Sequence, residues 1–452
     1  MPAVQLVEVF YGLLSIYVAR HSAAKHSNEV ILIQLFGSAL CAVVYMILDA
    51  RASIQAIATG IMCVFGLSSP VAATGSLLGT VLLRPWELLE VGQSWEFLPL
   101  LFAGIAVLSL SVAVICGRYP LLRVNNFTVV FLLMNLWFLL SSLVSTSSEA
   151  SLDYLFERMP IVIVIIFLLN TVITSLREMR FLQRVIVLSV LGVVSCAMAE
   201  QLTTEGLHLG SRLTGRGMWG NSNDIAALIV FATPFLFIPF GRSSNENDSI
   251  RLRFLRLSTI TVLLCALWWC QSRGAILGMA AALLAFGGLL VGKSIRKKLF
   301  VWCLILMASI FIGSHLHRDN SEMQTSRSAR WNYVIAGVRM AVERPFLGVG
   351  ISQYPALYER YTPAFEEWGE RTAHSSWILA LAESGFIGSS LFSLLYIIVC
   401  IHAWRIRAFA PNFVSSVIGY GIVMTFLSHT YQLLPYLLGI CVVLAARLKQ
   451  YG

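Results

Sequence analysis

Long apolar stretches alternate with short polar ones over most of the 452 residues. A stretch that can cross about 30 Å of hydrocarbon as a helix is a candidate membrane span. Fourteen such stretches occur, near residues 3–19, 29–48, 52–70, 98–116, 126–144, 158–176, 184–201, 225–240, 257–271, 274–292, 299–316, 376–401, 413–429 and 431–446. The last two are short and could form a broken hairpin. The pattern therefore predicts an all-α polytopic membrane protein with about 12 to 14 transmembrane helices.

The polar segments indicate the side of the membrane that each loop faces. Basic residues gather in alternate short loops, such as REMRFLQR and KSIRKK, as is typical of cytoplasmic loops. Both termini are then predicted to be cytoplasmic. The remaining loops face outward, and residues 71–97, which contain LLRPWE, are predicted to be half-inserted or interfacial.

This pattern divides the chain into four predicted regions. They are N-terminal transmembrane helices (1–202), central transmembrane helices with external arginine motifs (203–316), an external loop (317–375) and C-terminal transmembrane helices (376–452).

Composition supports the membrane assignment and excludes several classes of function. The chain is 58% hydrophobic and only 12% charged, about half the charged fraction of an ordinary soluble protein. Its net charge of +9 is spread over short loops, so we predict no nucleic-acid partner. The sequence has no DxD, GxSxG, P-loop or HExxH motif, which favours chemistry without a bound metal or cofactor.

The external loop keeps helical periodicity. Trp331, Val334, Ile335 and Val338 recur at i, i+3, i+4 and i+7, which predicts an amphipathic helix on the membrane surface or over a cavity. Pro345 should end this helix, because proline cannot continue it cheaply. So large an external cap favours an enzyme at the outer face over a transporter.

Arginines in the outward segments suggest an anionic ligand, because the guanidinium fork can bind phosphate through two hydrogen bonds. The candidates are Arg212, Arg216, Arg273, Arg330, Arg344 and Arg371. For any one of them the simpler alternative is an anchor at the membrane interface. Arg273 is the strongest candidate, because it interrupts the apolar passage 257–292 and a charge there is costly unless it is paired or functional.

One histidine and one carboxylate stand where the loop rejoins the membrane. His374 could take a proton near neutral pH, although a lone histidine is more often structural. Glu383 lies about two turns beyond it in an apolar helix, so it needs a partner or a proton. Its structural and functional interpretations are equally supported.

Four segments, in order, resemble the O-antigen ligase and Wzy-type polymerase superfamily: GRGMWGNSND, QSRGAILG, RSARWNYVIAGVRMAVERPFLGVG and TAHSSWILALAESGFIG. The resemblance covers roughly residues 210–400. It implies an all-helical fold related to type C glycosyltransferases, with the external loop over the active site. It also implies transfer of a glycan from undecaprenyl pyrophosphate to an acceptor hydroxyl. In one respect the chain departs from the family, since Ser375 stands where asparagine often follows the histidine.

The resemblance also implies residue roles. Arg216 and Arg273 match the pyrophosphate-contacting positions, and His374 matches the loop histidine that orients or deprotonates the acceptor hydroxyl. Further substrate-binding candidates are Arg212, Asn221, Asn223, Arg330, Arg344, Arg371 and Glu383. Convergence of Arg216, Arg273 and His374 is the central expectation.

The acceptor stays open at the level of sequence. A ligase onto lipid A core, a polymerase of repeat units and a protein O-oligosaccharyltransferase share the donor and differ in the acceptor: core, glycan or protein. We favour the ligase type, in a bacterial inner membrane with the active site facing the periplasm or exterior. A polysaccharide flippase is a more distant alternative, because it should carry more charges in mid-span. A purely structural membrane subunit is the remaining one.

Overall fold

The computed structural model describes residues 15, 50–88, 96–121, 123–204, 211–237, 250–290, 320–363 and 372–451. Within these ranges the chain is helical and contains no strand, which confirms the predicted all-α membrane fold. The helices are α1 (Ala50–Ser68), α2 (Pro70–Leu83), α3 (Pro85–Leu88), α4 (Leu98–Ile115), α5 (Asn126–Leu143), α6 (Ser148–Val172), α7 (Leu176–Thr204), α8 (Ser222–Ala232), α9 (Ile250–Trp269), α10 (Arg273–Leu290), α11 (Asn320–Glu343), α12 (Tyr354–Tyr361), α13 (Ser376–Arg405), α14 (Pro411–Met424) and α15 (Leu433–Tyr451). Two short 3₁₀ turns, Gly217–Trp219 and Thr233–Leu236, flank α8.

Six of these helices are long and apolar enough to cross a membrane: α4, α5, α6, α7, α13 and α15. Two of these helices extend beyond the predicted apolar spans, since α6 and α7 begin 10 and 8 residues before residues 158 and 184. Their first turns, SEASLDYLFE and LREMRFLQ, are polar, and helical hydrogen bonding continues past the apolar segment that a hydropathy reading detects. The predicted spans 3–19, 29–48 and 299–316 lie outside the described residues.

The chain forms two compact units. Unit one contains residues 1–123, 164–272 and 451–452, and unit two contains residues 124–163 and 273–450. In unit one, α2 packs against α1, α4 and α7. Ser69 accepts a hydrogen bond from the Ala72 amide and caps α2, and Arg84 ends the helix in the left-handed conformation with φ 49°. Almost every residue of α2 is buried, so the first half of the segment 71–97 belongs to the core of this unit.

In unit two, two helix pairs form the largest contacts: α10 with α14, and α5 with α13. Small residues allow the first pair to approach closely, since a Cβ on Gly278 would lie 2.7 Å from the Gly419 carbonyl oxygen. Helix α11, in the loop predicted to be external, packs against α13 and α12.

The external loop is helical where the periodicity predicts a helix, and α11 ends at Glu343, two residues before Pro345. The face that packs on the protein is nevertheless a different one from the predicted stripe. It contains Tyr333, Ala336, Met340 and Ala341, which are at most 3% exposed. The tertiary fold buries this face because the neighbours α12 and α13 lie against it.

Candidate functional site

The segments that directly precede the first two motifs meet in unit one. The amide of Leu213 donates to the Trp269 carbonyl at 3.1 Å, and the Trp269 indole donates to the Ser211 carbonyl at 3.2 Å. Arg212 Nε donates to the Cys270 carbonyl at 3.0 Å. The segment before α8 is therefore tied to the end of α9.

Two predicted site arginines of unit one have protein partners. Besides Cys270, Arg212 donates through Nη2 to Asn223 Oδ1 at 2.9 Å. Arg216 forms an ion pair with Glu200 of α7, and the two side chains are 33% and 22% exposed. Asn221 caps α8 by accepting from the Asn223 amide at 2.9 Å. In this arrangement Arg212, Asn221 and Asn223 stabilise the loop before α8. Arg216 is paired with the Glu200 carboxylate.

The segment LLRPWE also reaches the first motif. Glu87 pairs with Arg84, and its Oε2 accepts from the Met218 amide at 2.8 Å, at the start of the 3₁₀ turn. The Trp219 indole donates to the Leu82 carbonyl at 3.1 Å. Gly217 has φ 54°, and a Cβ there would collide with the Glu87 carboxylate. The loop that bears Arg216 is thus clamped from α2 and α3.

The third and fourth motifs meet in unit two at a break in α13. Gly385 has φ 67°, which a residue with a side chain rarely adopts. The break frees the Glu383 carbonyl, which accepts from Ser141 Oγ at 2.7 Å and from the Gly350 amide at 3.1 Å. The Phe386 amide donates to the Pro345 carbonyl at 2.7 Å. Three elements, α5, the turn after α11 and α13, are joined at this point.

Glu383 itself is 1% exposed. Its Oε1 accepts from the Tyr354 amide at 2.9 Å, at the start of α12. The structure thus supplies a partner for one of the two oxygens of this buried carboxylate. In the described structure Glu383 ties the start of α12 to α13.

His374 lies at the end of a row of aromatic rings. Its ring centroid is 5.3 Å from that of Tyr333, which is 5.3 Å from Tyr358, which in turn stacks on Tyr354 at 6.1 Å. The Tyr354 hydroxyl donates to the Tyr333 carbonyl at 2.6 Å. Burial raises the pKa of Tyr354, so this hydroxyl keeps its proton and remains a donor. The row extends from the start of α12 to the imidazole.

The backbone of His374 is in the left-handed region, with φ 46°. Such a conformation costs energy for a residue other than glycine and persists where neighbouring contacts enforce it. Ser375 caps α13. Ser376 Oγ donates to the Leu427 carbonyl at 2.6 Å and accepts from the His429 amide at 2.9 Å, while Thr430 Oγ1 donates to the Ser376 carbonyl at 2.8 Å. These contacts hold the start of α13 directly after His374, whose side chain is half-buried.

Phe426 lies near the candidate Arg330 and near Gly274, the residue that follows the candidate Arg273. The Arg330 guanidinium lies 5.8 Å from the Phe426 ring centroid. A Cβ on Gly274 would lie 2.9 Å from the same ring. Gly274 directly follows Arg273, the exposed first residue of α10. Arg273 therefore stands at the positive end of a helix dipole, which favours an anion.

The other loop arginines have different positions. Arg344 Nη1 donates to the Val144 carbonyl at 3.3 Å, so it links the end of α11 to the C-terminal cap of α5. Arg371 lies outside the described residues. Among the described residues no group of three histidine, cysteine or acidic side chains could hold a metal ion.

Sequence reasoning missed Glu87, Glu200, Phe426 and Ser376. Glu87 and Glu200 lie in apolar or mixed segments. A charged side chain costs free energy there unless it is paired, so their positions indicated that each needs a partner. The positions of Phe426 and Ser376 had no such signal, because an aromatic residue and a serine are ordinary in membrane helices.

Comparison with known proteins identifies one part of the chain. Residues 258–393 match the family model Wzy_C, which is described as O-antigen ligase. The match includes the second half of α9, all of α10, α11 and α12, and the first half of α13, and it confirms the resemblance to the O-antigen ligase superfamily. A search of curated proteins found no match.

Proposed function

Because residues 258–393 carry an O-antigen ligase domain of a multi-pass membrane protein, we propose that this chain transfers a glycan from undecaprenyl pyrophosphate to an acceptor hydroxyl. The reaction takes place at the outer face of the bacterial inner membrane, in the manner of an O-antigen ligase. The observation that carries this proposal is His374, which α13 and the row of tyrosines hold in a strained conformation at the edge of the external loop.

In the proposed reaction, the acceptor oxygen attacks C1 of the first sugar as the bond from C1 to the pyrophosphate oxygen breaks. The hydroxyl proton passes to the His374 imidazole, and undecaprenyl pyrophosphate leaves with the electron pair. A single displacement inverts the anomeric centre. An imidazole suits the role of base because its unperturbed pKa is about 6.5.

The leaving group gains negative charge in this step, and arginines are proposed to stabilise it without a metal. Arg273 and Arg330 are supported by their common neighbour Phe426 and by the positive end of α10. Preorganised positive groups of this kind stabilise a transition state by several kcal/mol. Arg216 is proposed to contact the diphosphate as well, in competition with its carboxylate partner Glu200. Arg371 remains a proposed contact on the sequence argument alone.

The test uses purified full-length protein in lipid with an undecaprenyl-pyrophosphate-linked oligosaccharide, with and without lipid A core. Release of undecaprenyl pyrophosphate and the size of the glycan product are measured. Transfer to core that is lost in His374→Ala supports the ligase proposal. Arg360→Ala is the matched control, because Arg360 is an exposed loop arginine paired with Glu343 at 3.0 Å and has no proposed role in the reaction.

The other outcomes distinguish the alternatives. A glycan ladder on the polyprenyl carrier would indicate a repeat-unit polymerase, and transfer to an added protein acceptor would indicate a protein O-oligosaccharyltransferase. Absence of release in every condition would contradict an enzyme. Movement of the intact donor across the bilayer would then favour a flippase, and lost assembly without lost turnover in the variants would favour a structural subunit.

A further inference from the structure

Helix α11 has two apolar faces on opposite sides. One face, Tyr333, Ala336 and Met340, is buried on the protein. The other face carries Trp331, Val338 and Val342, which are 65%, 41% and 69% exposed. Their spacings of seven and four residues return to the same side of a helix with 3.6 residues per turn. A helix on a protein surface in water would carry polar side chains there.

Arginines border this exposed stripe on both sides. At about 100° per residue, Arg330 and Arg339 fall on opposite edges of the face that Trp331, Val338 and Val342 form. Arg339 Nη1 donates to the Tyr361 carbonyl at 3.0 Å, and Arg330 lies over Phe426, so both guanidinium groups are directed to the sides. Helices that lie in a membrane interface typically have aromatic and apolar residues in the centre of the exposed face and basic residues at its edges.

The stripe continues into a surface that belongs to a membrane span. Phe346 follows the end of α11 and is 68% exposed, and its neighbour Pro345 accepts from the Phe386 amide at 2.7 Å. Phe386 is 52% exposed and begins the outer side of the second half of α13. That side continues as exposed apolar residues on a candidate span: Ile387, Leu394, Ile397 and Ile401. Exposed apolar residues thus occur on the span and at the end of the loop helix, with the polar residues Ser390, Glu343 and Arg344 among them.

We infer that α11 lies with Trp331, Val338 and Val342 in the interfacial layer of the outer leaflet, so that the bilayer covers the second apolar face of the external loop. This position would keep the loop close to lipid-borne substrates, although the inference does not depend on the proposed reaction. The occupant we propose is bulk lipid. The polyprenyl tail of the donor is the alternative that the test must separate from it.

The test uses the full chain in vesicles of phosphatidylethanolamine and phosphatidylglycerol with lipids brominated either near the head group or deep in the tail. The contribution of Trp331 to the fluorescence is the difference between the wild type and Trp331→Phe. We expect the shallow bromines to quench this contribution more strongly than the deep ones, and donor-free vesicles to suffice. Val342→Asp should reduce the quenching at least twofold, and Val342→Leu should preserve it.

Two results would overturn the inference. One is quenching of Trp331 by aqueous iodide with no response to either brominated lipid, since the stripe would then face water. The other is a response to brominated lipid that appears only after undecaprenyl-pyrophosphate-linked donor is added, which would assign the stripe to the donor tail. Glycan transfer in the same vesicles is measured separately, so failure of the reaction and failure of the lipid contact can be told apart.

Discussion

Unit one and unit two both bear candidate arginines, but the two sets have different neighbours. In unit one, Arg216 is paired with the Glu200 carboxylate, and Arg212 binds a carbonyl and an amide oxygen. In unit two, Arg330 lies over an aromatic ring, and Arg273 begins a helix. The same residue type thus pairs with a carboxylate in one unit, and stands beside an aromatic ring or at a helix start in the other.

This difference matters for binding a diphosphate. An anion at Arg216 must compete with an acid that is already there, whereas the start of α10 adds its dipole to the charge of Arg273. In the proposed reaction, Arg273 at a helix start should therefore stabilise charge more than Arg216, which already pairs with an acid. The following variants test this comparison.

Replacing His374 by alanine should have the largest effect. A general base typically contributes about 10²- to 10⁴-fold, so we expect the rate of transfer to fall by at least about 100-fold. Release of undecaprenyl pyrophosphate measures this rate. An unchanged melting temperature would show that the fold persists, and a variant with more than half the wild-type rate would contradict the role of the imidazole.

Replacing Arg273 or Arg330 by alanine should lower turnover by about 100- to 1,000-fold, the range seen when one preorganised donor is removed. Lysine at either position keeps the charge without the fork, so part of the activity should return. If Arg216→Ala lowered turnover more than Arg273→Ala and Arg330→Ala in the same assay, the expected difference between these arginines would be contradicted.

Replacing Glu383 by alanine should lower stability. The Tyr354 amide would be buried without its acceptor, which costs about 1 to 3 kcal/mol. Thermal unfolding measures this change, and glutamine at the same position is the matched control because it retains an acceptor oxygen. Equal melting temperatures for the alanine variant and the wild type would show that Glu383 does not stabilise the start of α12.

Replacing Glu200 by glutamine removes the acid beside Arg216. Exposed ion pairs are worth about 0.2 to 1 kcal/mol, so the KM for the donor should fall by at most about fivefold. A titration of the lipid-linked donor gives this KM. A rise in KM would mean that Glu200 itself contributes to binding, and that Arg216 and Arg273 differ less than we expect.

Replacing Ser375 by asparagine should have the smallest effect. Ser375 caps α13, and asparagine and serine are comparable caps, whereas alanine loses about 0.5 to 2 kcal/mol. Thermal unfolding of the two variants tests this order. The departure from the family pattern would then be a conservative exchange of one helix cap for another. A change of acceptor preference in Ser375→Asn would show instead that this position recognises the acceptor.

Hydropathy and periodicity were sufficient for much of the architecture. The all-α fold, the position of α11 and its end before Pro345 could be predicted because each depends on local properties: apolar length, helical period and the missing amide of proline. The same local reading missed the polar first turns of α6 and α7, because hydropathy detects the apolar part of a helix and not its ends.

The pairing of the motifs could not be predicted in this way. Nothing local indicates that Glu87 meets Met218, that Phe426 lies between Arg330 and Gly274, or that α11 packs through Tyr333 rather than through Trp331. The sequence by itself determined the membrane class, the helices and the residue types able to bind phosphate or take a proton. Only the tertiary structure decided which partner each polar group has and which of two apolar faces is buried, because these depend on contacts between segments far apart in the chain.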